Sequence, residues 1–206
     1  MLRITPNPRR VSSASAVQNH AQGCHAPQPA YDLRVPPPSA STPRWLRIRN
    51  SPIHGRGAYA RIDIPEGTRI IEYVGEKITK AESRRREEQR LARLKRGGDG
   101  SVYIWDLNSR YDLDGRLAGN VARLINHSCA PNCRAETIRG HVWIIASRHI
   151  PQGEEITFDY GFPFSEWRLH PCRCGAAECV GFIVNEPQRW RVRRILEQQR
   201  AVTATG

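Results

Sequence analysis

The sequence predicts a mainly β, β-rich α+β domain, and three observations carry that prediction. Beyond residue 44, β-branched and aromatic residues come in short runs broken by turn residues. Only a few stretches have the caps and length of helices. The 206 residues are 39% hydrophobic and 25% charged, which supplies one modest core with tails and leaves little room for two full domains.

Residues 1–44 hold eight of the fifteen prolines among Ser, Ala, Gln and Asn, with no period of 2 or 3.6. They read as a disordered tail. From Trp45 the runs WLRIR, GAYARI, TRIIEYV, VYIWDL, RYDLDG, RAETIR, HVWIIASR and EEITFDY read as strands. Between the third and fourth, Thr79 is placed to cap a polar helix from Lys80 to Arg96, which GGDG at 97–100 ends. A short helix is expected near Ala118–Ile125 and a last basic one near Gln188–Gln199, after Pro187. The domain thus spans 45–163, a cysteine-rich segment 164–184, and a basic helical tail 185–206.

No apolar run reaches the roughly 18–20 residues of a membrane span. The opening MLRITPNPRR lacks the apolar stretch of a secretory signal. An intracellular, reducing setting follows as the expectation, cytoplasmic for a bacterial source and nuclear for a eukaryotic one. The net charge is +12, of which the flanks outside 45–184 carry +7. Such basic flanks suit nucleic acid or partners bound to it, or simply a solvated surface.

Cys172, Cys174 and Cys179 form C-x-C-x4-C, with Gly175 allowing a sharp turn. Three thiolates this close suit one Zn²⁺, which requires a fourth ligand. Cys24, Cys129 and Cys133 are the other cysteines. Cys129 precedes a proline turn and is the first choice; Cys133 is the runner-up. Disulfides or unrelated buried thiols are the alternatives, disfavoured in a reducing compartment.

RLINHSCAPNC at 123–133, EEITFDYGF at 154–162 and CRCGAAEC at 172–179 together resemble the SET-domain protein lysine methyltransferases. SPIHGRGAYA at 51–60 and SVYIWDL at 101–107 match that family's opening glycine turn and its middle tyrosine strand. The resemblance covers about Trp45 to Val184. It implies several small curved sheets around a knot-like crossing, followed by a zinc-bound post-SET tail. In members with this tail, the three cysteines and the one in NHSC hold the metal, which implies the set Cys129, Cys172, Cys174 and Cys179.

The implied reaction moves a methyl group from S-adenosylmethionine to a lysine amine. Tyr160 takes the place of the catalytic tyrosine, and Tyr103 that of a residue lining the meeting point of lysine and cofactor. His54, Arg56, Gly57, Tyr103, Asn126, His127 and Arg173 match cofactor-holding positions, by backbone or side chain. Phe158 stands where the family carries Phe or Tyr; phenylalanine there leaves room for di- or trimethylation. The implied substrate is a basic protein, histone, histone-like or ribosomal. Such a peptide needs local acidity in its groove, with Asp112, Asp114, Glu154, Glu155 and Glu166 as sources. The competing readings are a silent SET module that binds protein and a zinc-stabilised nucleic-acid binder using the basic flanks.

Overall fold

The computed structural model describes Ile4, residues 44–97 and residues 101–204. Among the described residues, ten short strands form four small sheets. The first is a hairpin of β1 (Leu46–Asn50) and β2 (Arg56–Ala60). The second is β3 (Arg69–Tyr73), β9 (His141–Ala146) and β8 (Cys133–Ile138), with β9 central and both pairings antiparallel. The third runs β4 (Glu76–Thr79), β6 (Tyr111–Asp114), β5 (Ile104–Asp106), also antiparallel. The fourth is a parallel pair of two-residue strands, β7 (Asn126–His127) and β10 (Thr157–Phe158). All eight predicted runs contain strand residues.

Local sequence accounts for the connections. Arg139 and Gly140 both take positive φ, 50° and 83°, between paired Ile138 and His141. That is the conformation of a two-residue hairpin turn, whose twist matches the flanking strands. Helix α1 (Lys80–Lys95) starts where expected, with Thr79 accepting the Glu82 amide at 3.2 Å. Its predicted stop at 97–100 is seen only through the turn at Arg96 and Gly97, since 98–100 lie outside the described residues.

Two expectations change. The stretch expected as a helix near Ala118–Ile125 is a single 3-10 turn, Val121–Leu124, whose preceding Asn120 makes no side-chain cap. With Gly119 before it and β-branched Val121 inside it, the segment lacks the propensity for more. The last helix, α2 (Arg189–Ala204), runs longer than Gln188–Gln199. Of the tail expected to be disordered, Ile4 and Arg44 alone are described, and Ile4 is 3% exposed in the core. The rest of that stretch, Cys24 included, lies outside the described residues.

One core joins the sheets. Leu46, Ala58 and Ala60 of the first meet Tyr73, Val142 and Ile144 of the second, Trp105 of the third and Phe158 of the fourth. A smaller cluster of Trp167, Val180, Val184 and Val192 seats α2 on the cysteine segment. No helix among the described residues is long and apolar enough to cross a membrane.

Candidate active site

The parallel pair β7–β10 positions the site, because it lays the NHSC segment beside the strand leading to Tyr160. Asn126 is 6% exposed and faces the β1–β2 turn. Its Nδ2 lies 3.2 Å from the carbonyl of His54, 3.3 Å from that of Arg56 and 2.8 Å from Glu155 Oε1, and donates among them. The same carboxylate accepts from the Ser51 hydroxyl at 2.8 and 2.9 Å and from the Tyr59 hydroxyl at 3.0 Å. Gly57 permits this approach: a Cβ there would stand 2.2 Å from Glu155 Oε1. The turn and the NH pair, 70 residues apart, are thus one unit.

His127 points inward. Its Nδ1 accepts the Tyr160 amide at 3.2 Å, and its Nε2 lies 3.5 Å from Cys129 Sγ. The ring is buried and committed to these contacts.

The Tyr160 hydroxyl donates to the Ile125 carbonyl at 2.9 Å. Aromatic rings surround it: Phe158 at 5.0 Å between centroids, His127 at 5.4 Å and Phe162 at 5.5 Å. Burial, with smaller contributions from Tyr103 and Glu155, raises its pKa above the ordinary tyrosine value, so it stays a phenol at working pH. Tyr103, half-buried, is anchored by its carbonyl, which accepts from the Tyr73 hydroxyl at 2.8 Å and the Gly115 amide at 2.9 Å. Phe158 is 1% exposed, wedged between Trp105 at 6.2 Å and Tyr160.

The sulfurs of Cys129, Cys172, Cys174 and Cys179 all lie within 4.8 Å of one another. Ligands about 2.3 Å from one tetrahedral zinc stand close to 4 Å apart, so the donor set fits Zn²⁺ in both chemistry and size. A hydrogen bond between the Cys129 and Cys172 sulfurs, 4.0 Å apart, lowers the pKa of Cys172 and raises that of Cys129. The amides of Cys129 and Gly181 donate to Cys174 Sγ and Cys179 Sγ at 3.4 and 3.3 Å, as outer contacts that orient sulfur ligands. Cys133 lies instead in β8, where burial pushes its thiol up to about 12.

A cleft of about 570 Å³ runs beside β1, lined by Arg47, Arg56, Arg61, Asn120 and Arg123 among others. It meets the expected cofactor residues at Arg56 alone. Arg123, whose Nε is buried without a partner, also stands over the Tyr103 ring at 5.9 Å. The side chains of His54 and Arg173 are exposed.

The acidic residues expected in a peptide groove are largely committed elsewhere. Asp112 bonds Lys80 at 2.6 Å, and Asp114 bonds Arg86 and Arg116 at 2.6 and 3.0 Å. Burial would push Asp114 up, but those arginines outweigh it and lower its pKa. Glu154 is likewise lowered, as its Arg148 and Asn132 bonds outweigh burial. Glu155 braces the turn, and Glu166 sits in the first turn of the 3-10 segment Phe164–Leu169.

Sequence reasoning missed Arg189. It is 7% exposed and donates to the Cys129 carbonyl at 2.6 Å, the Val184 carbonyl at 3.1 Å and Asp159 Oδ2 at 2.9 Å. One guanidinium therefore ties the Cys129 loop, the residue before Tyr160 and the start of α2. Arg189→Leu strands a buried carboxylate and is expected to cost about 3–5 kcal/mol, read from the urea unfolding midpoint.

Small sheets meeting at a parallel two-strand crossing, with a tyrosine behind it and a four-thiol centre beside it, define a SET-type domain. The chain belongs to that family: the SET domain model matches residues 55–161. It is 40% identical over 143 residues to histone-lysine N-methyltransferase trithorax of Drosophila virilis, covering 68% of this chain and 4% of that protein. Against the H3 lysine-4 specific histone-lysine N-methyltransferase of Emericella nidulans the figures are 39% over 145 residues, 67% and 12%. Against human histone-lysine N-methyltransferase 2D they are 41% over 137 residues, 64% and 2%. The chain therefore spans a small fraction of these relatives.

Proposed function

We propose that the chain is an S-adenosylmethionine-dependent protein-lysine N-methyltransferase that acts on a histone or another basic protein and carries its product beyond the monomethyl stage. One observation supports this most: the Tyr160 hydroxyl fixed at 2.9 Å on a backbone carbonyl, amid Phe158, His127 and Phe162, next to the braced turn and NH pair.

His54, Arg56, Gly57, Tyr103, Asn126, His127 and Arg173 would hold the cofactor. When bound, S-adenosylmethionine supplies an electrophilic methyl group on a cationic sulfur. The chain's residues position the attacking amine and make it reactive. A lysine amine, with ordinary pKa near 10.4, must lose its proton to attack. Burial among Phe158, Tyr160 and Tyr103 disfavours the ammonium form. Tyr160, kept protonated, orients the lone pair toward the methyl carbon, and such alignment is worth several kcal/mol of the barrier.

The test is transfer of label from S-adenosylmethionine to a panel of histones and other basic proteins, with Tyr160→Phe as control. Label that persists unchanged in the control, or none on any protein, defeats the reading. Phe158→Tyr places a hydroxyl in the aromatic cluster, where it can hold the amine or a water by a hydrogen bond. It is expected to shift the products toward monomethyl-lysine by mass spectrometry, whereas the unaltered chain yields di- and trimethyl-lysine.

A further inference from the structure

Tyr160 stands beyond the sheet that leads to it. β10 ends at Phe158, so the backbone carrying the phenol is placed by side chains as well as by strand pairing. His127 Nδ1 accepts the Tyr160 amide at 3.2 Å. Spanning the tyrosine, Asp159 Oδ1 accepts the Gly161 amide at 2.9 Å, an Asx turn that Gly161 permits with a φ of 67°. The other oxygen of that buried carboxylate takes Arg189 Nη2 at 2.9 Å. Arg189 Nη1 and Nε donate to the Cys129 and Val184 carbonyls at 2.6 and 3.1 Å, which leaves the guanidinium one geometry. A continuous chain of contacts thus runs from the first turn of α2 to the turn that presents the phenol.

We infer that Arg189 is a positioning residue for methyl transfer: through the Asp159 carboxylate it fixes the turn that presents the Tyr160 hydroxyl, and so sets the rate of the chemical step. The inference rests on the methyltransferase reading above. Asp159 and Gly161 flank Tyr160 directly, so a shift of the carboxylate is passed to the ring. The hydroxyl is tethered at its far end to the Ile125 carbonyl, and the turn is the other end of the lever. A misplacement of about 1 Å at a reacting group can cost on the order of a hundredfold in rate. Arg189 lies beyond Val184, outside the stretch that resembles the family, so this contribution comes from α2. Lysine is no equivalent. A single ammonium keeps a cation opposite Asp159 but cannot span one carboxylate and two carbonyls as the planar fork does.

The full chain is compared with Arg189→Lys. In the kinetic arm, single-turnover methylation of the protein that the unaltered chain labels best is expected to slow about tenfold in Arg189→Lys, with KM for that protein and for S-adenosylmethionine within about twofold. Added to Tyr160→Phe, the same change is expected to cost less than about twofold, because residues that act through one hydroxyl are not additive. An unchanged rate in Arg189→Lys, or a loss that persists in full on Tyr160→Phe, overturns the inference. In the second arm the six tyrosines are replaced by 3-fluorotyrosine, and the fluorine NMR line missing from Tyr160→Phe identifies Tyr160. Arg189→Lys is expected to shift or split that line while bound zinc is retained; a line that does not move overturns the inference. If Arg189→Lys unfolds or loses zinc, Asp159→Asn, which keeps an acceptor for the Gly161 amide and gives up the charge, replaces it in both arms with the same expected results. Should the unaltered chain methylate no protein, the methyltransferase reading fails, and the fluorine line still decides whether Arg189 holds Tyr160.

Discussion

Replacing Tyr160 with phenylalanine is expected to lower methyl transfer by about two to three orders of magnitude while leaving the fold intact. The hydroxyl makes one hydrogen bond, to the Ile125 carbonyl at 2.9 Å. Its loss costs stability about 0.5–1.5 kcal/mol, since phenylalanine fills the same space. The cost to the reaction is larger, because a preorganised polar group in a water-poor site acts where charge changes in the transition state, and removing one such group typically costs about 2.7–4 kcal/mol of barrier. Single-turnover kinetics separates the two effects: the methylation rate falls while thermal unfolding barely shifts. A variant that keeps more than about a tenth of the rate would remove Tyr160 from the chemistry.

Stripping zinc with a chelator, or substituting Cys129→Ser, is expected to release the C-terminal segment and abolish cofactor binding. Structural zinc in small domains supplies folding free energy on the order of 10 kcal/mol. Four thiols within 4.8 Å cannot all ionise without a cation between them. Loss of Cys129 has a second consequence here, because its neighbours His127 and Arg189 reach the aromatic cluster and α2. Metal content by atomic emission, proteolysis after Val184 and calorimetric titration with S-adenosylmethionine should change together. By contrast, Cys133→Ser, at a cysteine outside the cluster, is expected to keep one zinc per chain.

Legibility depended on whether a feature was local. The Thr79 cap and the short runs of β-branched and aromatic residues that form strands are readable because neighbouring residues set them. β4 and β7 were not: EKIT is half charged, and Asn-His is two residues whose partner strand lies thirty positions away. Of the site, the cysteine set and the tyrosine came from motif order, through a family resemblance that the family model then bore out. Glu155 and Arg189 left no local trace. Glu155 stands beside a second glutamate, and Arg189 is one of five arginines in the last 22 residues. What singles them out is distant: Ser51, Tyr59 and Asn126 for one, Cys129 and Asp159 for the other.

Arg189 also sets how far evolution or an engineer can trim this molecule. A premature stop anywhere between residues 185 and 188 would discard a tail that looks expendable, yet it would leave the Asp159 carboxylate interred without its counter-ion, one position from the tyrosine. The first turn of α2 is thus a keystone rather than a fringe.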